Sequence, residues 1–151
     1  MSSIREQIVV AAIAALNSGR PATVPAIERF RGLDVEPSQL PSGTLVEGKE
    51  HIQRSKNKFS PLVDRAFRFA LKWRAARPAG DASAGPGTAI DPMLNWATAT
   101  LPRNTFGGLA LDVEEVSILW TPQQGEKFFM LAVQEFELTY TTRVNDAEQR
   151  V

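Results

Sequence analysis

The stretch LVDRAFRFALKWR, Leu62–Arg74, decides the fold class. Val63, Phe67, Phe69, Leu71 and Trp73 fall on one side of a two-residue repeat, interrupted by Arg65, while Asp64, Arg68, Lys72 and Arg74 fall on the other. Successive side chains of a strand point to opposite faces, so this is the pattern of a half-buried strand. Leu62, Ala66, Phe69 and Trp73 also stand at helical spacing, and the aromatic content decides for the strand. A second run of the same period extends from Phe128 to Thr142. In it Phe128, Met130, Ala132, Phe136, Leu138 and Tyr140 oppose Glu135, Glu137, Thr139 and Thr141. Two long strands with one dry face each need a layer of helix or sheet to cover them.

Two helices supply that layer. Ser3 followed by Glu6 has the form of a capping box ahead of an apolar run in which Ile4, Ile8, Ala11, Ala12, Ala15 and Leu16 recur at three and four. Gly19 and Pro21 end it. The second helix starts with Thr88 or Asp91 as cap and Pro92 in its first turn, carries Met93, Leu94, Trp96, Ala97 and Leu101, and stops at Pro102. Between these lie a strand within Thr23–Arg31 that Pro25 places at an edge or delays, and a short strand around Thr44–Glu47. Val116, Ile118 and Trp120, alternating with Glu115, Ser117 and Leu119, give a further strand before the hairpin loop TPQQGEK. The order predicts an α+β fold: a mostly antiparallel sheet of four to five strands with two helices packed on one face. One domain over 1–151 is expected, with flexible segments at about 48–60 and 76–88 and a polar tail over 145–151.

Composition narrows the function. The chain of 151 residues has no cysteine, which removes disulfides, thiolate metal sites and cysteine nucleophiles, and is in keeping with synthesis in a reducing cytosol. Seventeen basic and seventeen acidic residues cancel, so binding nucleic acid by phosphate neutralisation alone is not expected. The apolar run Ile8–Ile13 is too short to span a bilayer and lacks the basic start and cleavage site of a secretory signal. No membrane association is expected.

Catalytic chemistry finds no support. His51, the single histidine, sits in a polar stretch without a ligand set, and neither a nucleophile elbow nor a phosphate-binding glycine loop is present. Glu114 and Glu115 are adjacent and point apart on a strand, whereas Glu135 and Glu137 share a face that reads as the wet side of a sheet. The basic residues Arg65, Arg68, Lys72 and Arg74 read first as a solvated face, second as a subunit contact and third as a phosphate-contacting stripe. Arg65, alone on an apolar face, marks an interface, a buried partner or the end of the sheet. No catalytic, cofactor or metal residues are assigned. Arg65, Arg68, Lys72, Arg74, Glu135 and Glu137 are the candidate subunit-interface residues. A competing reading makes the chain a cellular ligand- or peptide-binding module with Phe67, Phe69 and Trp73 lining a pocket.

Taken together, the opening helix IREQIVVAAIAAL, the segments ATVPAIERFR and LPSGTLVEG, the aromatic strand, the run ATLPRNTFGGLALDVE and the closing FELTYTTRVND resemble the tail-terminator family of long non-contractile-tailed phages, the minor tail protein U type. The resemblance spans most of the chain and lies in the order and texture of its segments. It implies a mixed α/β subunit of a hexameric ring in the virion, assembled in the host cytoplasm. Such a ring caps the head-proximal end of the tail tube, stops its polymerisation, meets the tail tube protein and a head completion or connector protein, and leaves a lumen for DNA to pass without sequence-specific binding. It implies no reaction and no cofactor. Another head–tail connector or tail-completion protein is the neighbouring reading. The long polar arm near 48–60 and the Gly/Ala loop near 76–88 depart from the simplest form of the family.

Overall fold

The computed structural model describes residues 3–30, 41–54, 62–76, 87–123, 129–143 and 146–150. Its elements, in chain order, are α1 (Ile4–Asn17), β1 (Ile27–Arg29), β2 (Ser42–Arg54), β3 (Leu62–Ala76), α2 (Gly87–Thr100), β4 (Asp112–Gln123), β5 (Phe129–Arg143) and β6 (Asp146–Arg150). Five strands run across one sheet in the order β1-β2-β3-β5-β4, and β6 pairs with β5. The β1–β2 pair is parallel and the others antiparallel, so this is an α+β fold with a mostly antiparallel sheet.

The two amphipathic strands form the centre. β3 and β5 pair without interruption from Leu62 opposite Arg143 to Ala76 opposite Phe129. Phe67, Phe69, Leu71 and Trp73 of β3 therefore share a face with Leu138, Phe136, Gln134 and Ala132 of β5, and all eight are buried. Both helices cover this face. α1 contributes Ile4, Ile8, Ala12 and Leu16, and α2 contributes Ile90, Met93, Leu94 and Ala97, to one continuous core. The Trp96 indole N–H donates to the Leu16 carbonyl at 2.8 Å, joining the C-terminal end of α1 to α2. That bond satisfies one of the orphan carbonyls of the helix end.

The N-terminal cap forms as its residues imply: the Ser3 hydroxyl accepts from the Glu6 N–H at 3.2 Å. The Glu6 carboxylate, expected to reach back to the cap, is held by Arg29 of β1, whose Nη1 and Nη2 donate to its two oxygens at 2.6 and 2.8 Å. Arg29 Nε also donates to Glu47 of β2 at 2.7 Å, so one guanidinium clamps helix, edge strand and second strand. At the other end of α1, Gly19 takes φ +68° and turns the chain, and the Asn17 amide brackets the Ile27 backbone, accepting from its N–H at 2.7 Å and donating to its carbonyl at 3.1 Å. Pro25 thus acts in both ways open to it: the strand starts late, at Ile27, and lies at the sheet edge.

Several elements extend beyond their sequence patterns. Strand β2 continues to Arg54, so residues 48–54, expected to open a flexible segment, pair with β3 across a bulge between Glu47 and Glu50. Gly48 allows that bulge: a Cβ there would lie 2.9 Å from the Arg68 carbonyl oxygen. Residues 55–60, and most of the expected 76–88 loop, fall outside the described residues. α2 begins at Gly87, one residue before Thr88 and about one turn before Asp91, the two expected caps, with Pro92 inside it. Apolar spacing at Ile90, Met93, Leu94, Ala97 and Leu101 outweighs the single ladder hydrogen bond that proline removes. The expected polar tail forms β6, whose Arg150 and Asp146 pair with Thr142 and Arg143.

Gly43 places Trp73. A Cβ on Gly43 would sit 2.5 Å from the Trp73 ring and 2.6 Å from Ile27 Cδ1, so the indole packs directly on β2 backbone. Gly43→Ala is expected to lower stability by about 1–3 kcal/mol, the usual cost of overpacking a filled core. In urea titration the midpoint falls while the m value is unchanged. A second prediction concerns acid. The hydrogen bonds from Arg29 hold the Glu6 carboxyl below its ordinary 4.5. Its contribution to stability is present above 4.5 and is lost as pH falls through the lowered folded-state value. Thermal melts of Glu6→Gln are expected to start lower at neutral pH and to decline less than the parent below that range.

Candidate functional site

The helices cover one face of the sheet and leave the other to solvent. On that open face the alternation of β3 presents Arg68, Lys72 and Arg74, and the alternation of β5 presents Glu135 and Glu137. Arg68 lies opposite Glu137, one register step from Glu135. Its Nε donates to Glu137 Oε2 at 3.0 Å and its Nη1 to Glu135 Oε1 at 3.1 Å. These bonds hold the guanidinium pKa above its ordinary value. The basic and acidic strands, which the sequence offers as complementary surfaces on neighbouring copies, are therefore cross-strand neighbours on one face of one chain. Lys72 and Arg74 stand farther along the same face, opposite Val133 and Leu131, with no ion pair among the described residues. Beside Arg68 the β2 bulge leaves a depression of about 480 Å³ lined by Val46, Lys49, His51, Ala70 and Glu135.

Arg65 points the opposite way. It lies on the helix-bearing face, opposite Tyr140, where its Nη1 stands 3.7 Å from Glu50 Oε2 and its Nε donates to Thr142 Oγ1 at 3.0 Å. The Tyr140 hydroxyl donates to Glu50, and Arg5 of α1 stands 3.9 Å from the same carboxylate and 5.7 Å above the Phe67 ring. Burial, then the Glu50 carboxylate, holds the Tyr140 hydroxyl well above its ordinary pKa. Within the chain the Arg65 guanidinium joins a partly buried polar network between α1, β2, β3 and β5.

Phe67, Phe69 and Trp73 lie in the core, with Phe69 stacked between Phe67 and Phe136 at centroid distances of 6.1 and 5.5 Å. The Trp73 N–H donates to Gln134 Oε1 at 3.1 Å, and the Gln134 amide in turn donates to the Leu94 carbonyl at 3.3 Å and the Thr98 hydroxyl at 3.1 Å. Gln134 is fully buried, where the alternation of β5 places it between Ala132 and Phe136, although its polar side chain gives no sign of burial. Among the described residues, no group of three or more His, Asp or Glu is placed to hold a metal ion. No helix among them is long and apolar enough to cross a membrane.

The least satisfied part of the surface is β4. Val116, Ile118, Leu119 and Trp120 are 43, 40, 62 and 40% exposed, on a strand that ends the sheet. A bulge between Glu115 and Ser117 shifts the alternation, so Ile118 and Trp120 follow Val113 and Glu115 on the helix-bearing face, beyond the reach of α2. The signal was present in the run SILW, which is apolar at three successive positions and so cannot be dry on one face only. At the other side of the sheet Ile52 of β2 is 57% exposed.

No family model matches the chain, and no curated protein matches its sequence.

Arg68→Glu would set three carboxylates together on adjacent strands. Its melting temperature is expected to fall at low ionic strength, with the deficit shrinking as salt is raised. Lys72→Glu, which breaks no ion pair among the described residues, is expected to melt like the parent in the same series.

Proposed function

We propose that the chain is a structural subunit of a phage tail, a tail terminator whose copies close into a hexameric ring on the head-proximal end of the tail tube, stop its polymerisation and present the head completion proteins with a surface. The observation that carries this reading is the exposed apolar strand β4: four large apolar side chains at one sheet edge are what a subunit shows when its partner is missing. The order of sequence segments that resembles the terminator family supports it independently. Gln134 in the core and Glu50 at its margin are engaged in internal hydrogen bonds, as side chains with a structural role are. The proposed partners are further copies of the chain, the tube protein and a head connector, in the virion tail, with DNA passing through the ring without sequence-specific contact.

Electron microscopy of the purified protein added to polymerising tail-tube protein from the same genome tests this reading. Rings seated at one tube end, with shorter tubes than in the protein-free control, are expected. Tubes of unchanged length with bare ends overturn it.

A further inference from the structure

The two edges of the sheet differ, and their differences match. At one edge β4 exposes Ile118, Leu119 and Trp120. At the other edge β1 covers β2 only over Gly43–Leu45, and Phe30 adds one hydrogen bond to the Leu45 carbonyl at 2.9 Å. From Val46 to Arg54 strand β2 has no outer neighbour among the described strands, and Ile52 is exposed there. We infer that β4 of one copy pairs with the Val46–Arg54 stretch of β2 in the next copy, so that the sheet continues from subunit to subunit. This inference rests on the assembly reading above and names the surface that carries it.

Three features support the pairing. The first is direction. β2 is antiparallel to β3, β3 to β5 and β5 to β4, so β4 and β2 run oppositely within one chain. Copies related by rotation about an axis along the strands keep that relation, and β4 meets the neighbouring β2 as an antiparallel pair, the more stable ladder.

The second feature is face. Ile52 lies opposite Arg65, while Ile118 and Trp120 lie opposite Gln134 and Ala132, and all of these occupy the helix-bearing face. In the joined sheet Ile52 therefore meets Ile118, or Trp120 one two-residue step away, on the same side. A one-residue slip would send the apolar set to opposite faces, so the register is selected by burial. The third is charge. The segment Ser117–Thr121, bounded by the β4 bulge and by Pro122, which lacks an N–H, carries no charge. With Ile52 opposite Ile118 or Trp120, neither Lys49 nor Glu50 meets a like charge. The contact is heterologous, edge to opposite edge, and such contacts close into rings when the rotation between copies permits. A two-fold pairing of β4 with β4 would cover the same side chains of β4 but leave Ile52 and the β2 edge bare.

The absence of cysteine makes the test direct. Ile52→Cys and Ile118→Cys are introduced singly and together, at exposed positions, and each protein is treated with a short bismaleimide at rising concentration, up to millimolar, after its thermal melt has been matched to the parent. The double variant is expected to give a ladder of covalent multimers that stops at the ring size. A mixture of the two single variants is expected to give dimer and nothing larger, and each single variant alone is expected to remain monomer. Dimer from Ile118→Cys alone overturns the inference in favour of the two-fold contact, and absence of any product from the double variant overturns it outright. The terminator reading fails separately: a ladder with uncapped tubes leaves the edge pairing standing without that role, whereas capped tubes without a ladder retain the role and place the subunit contact elsewhere.

Discussion

Everything in this fold passes through the indole of Trp73. Its ring lies over the backbone at Gly43, its register partner on β2, where a single added carbon would clash. Its N–H is buried and requires an acceptor, which Gln134 on β5 supplies. The Gln134 amide then reaches the Leu94 carbonyl and the Thr98 hydroxyl, and so holds α2 to the sheet. A buried amide with its donors and acceptor engaged has one low-energy position, whereas purely apolar packing tolerates several. The network therefore sets where α2 lies, and the position of α2 in turn determines how much of β4 remains uncovered.

The N-terminal half is held by a different means. α1 makes its cap locally, but its placement depends on Asn17 bracketing Ile27 and on Arg29 joining Glu6 to Glu47. A three-residue parallel strand is a weak element by itself, and these bonds make β1 part of the sheet. Short as it is, β1 leaves most of the β2 edge open. The same arrangement that anchors the helix thus leaves the β2 edge beyond Leu45 without a strand neighbour among the described residues.

Legibility in the sequence follows the same division. Leu62–Arg74, the Phe128–Thr142 run and the Ser3 cap were readable because each depends on local period or spacing, and they correspond to β3, to β5 from Phe129 onward and to the start of α1. The continuation of β2 through Gly48 to Arg54 was not, since that stretch is polar and its pairing is imposed by β3 across the bulge. Arg65 was readable as a member of the apolar face, but its partner Glu50 was not, since it lies fifteen positions away on a segment with no strand pattern of its own. Lys72, Arg74, Arg68, Glu135 and Glu137 were correctly assigned to polar strand faces. That the two faces are one surface depends on β3 and β5 being neighbours across a long insertion, which alternation alone does not encode.

That arrangement changes where an assembly contact is to be sought. A basic strand and an acidic strand on separate surfaces would draw copies together by charge, but Arg68 already binds both glutamates within the chain. A half-exposed ion pair of this kind contributes little to association unless it is dismantled, and dismantling it exposes charges that water already solvates well. Apolar area works differently, because Ile118, Leu119, Trp120 and Ile52 are hydrated at a cost in the free subunit and lose that cost on burial. Edge strands also leave backbone donors and acceptors that a neighbouring strand completes. Natural proteins usually blunt such edges with charge or proline, and β4 carries these devices only at its limits: Glu114 and Glu115 at one end and Pro122 at the other. The uncharged middle, from Ser117 to Thr121, is the length of strand that a ladder needs and the part that a monomer would be expected to protect. Its exposure makes the sheet edge, rather than the charged face, the surface on which the proposed subunit contact is placed.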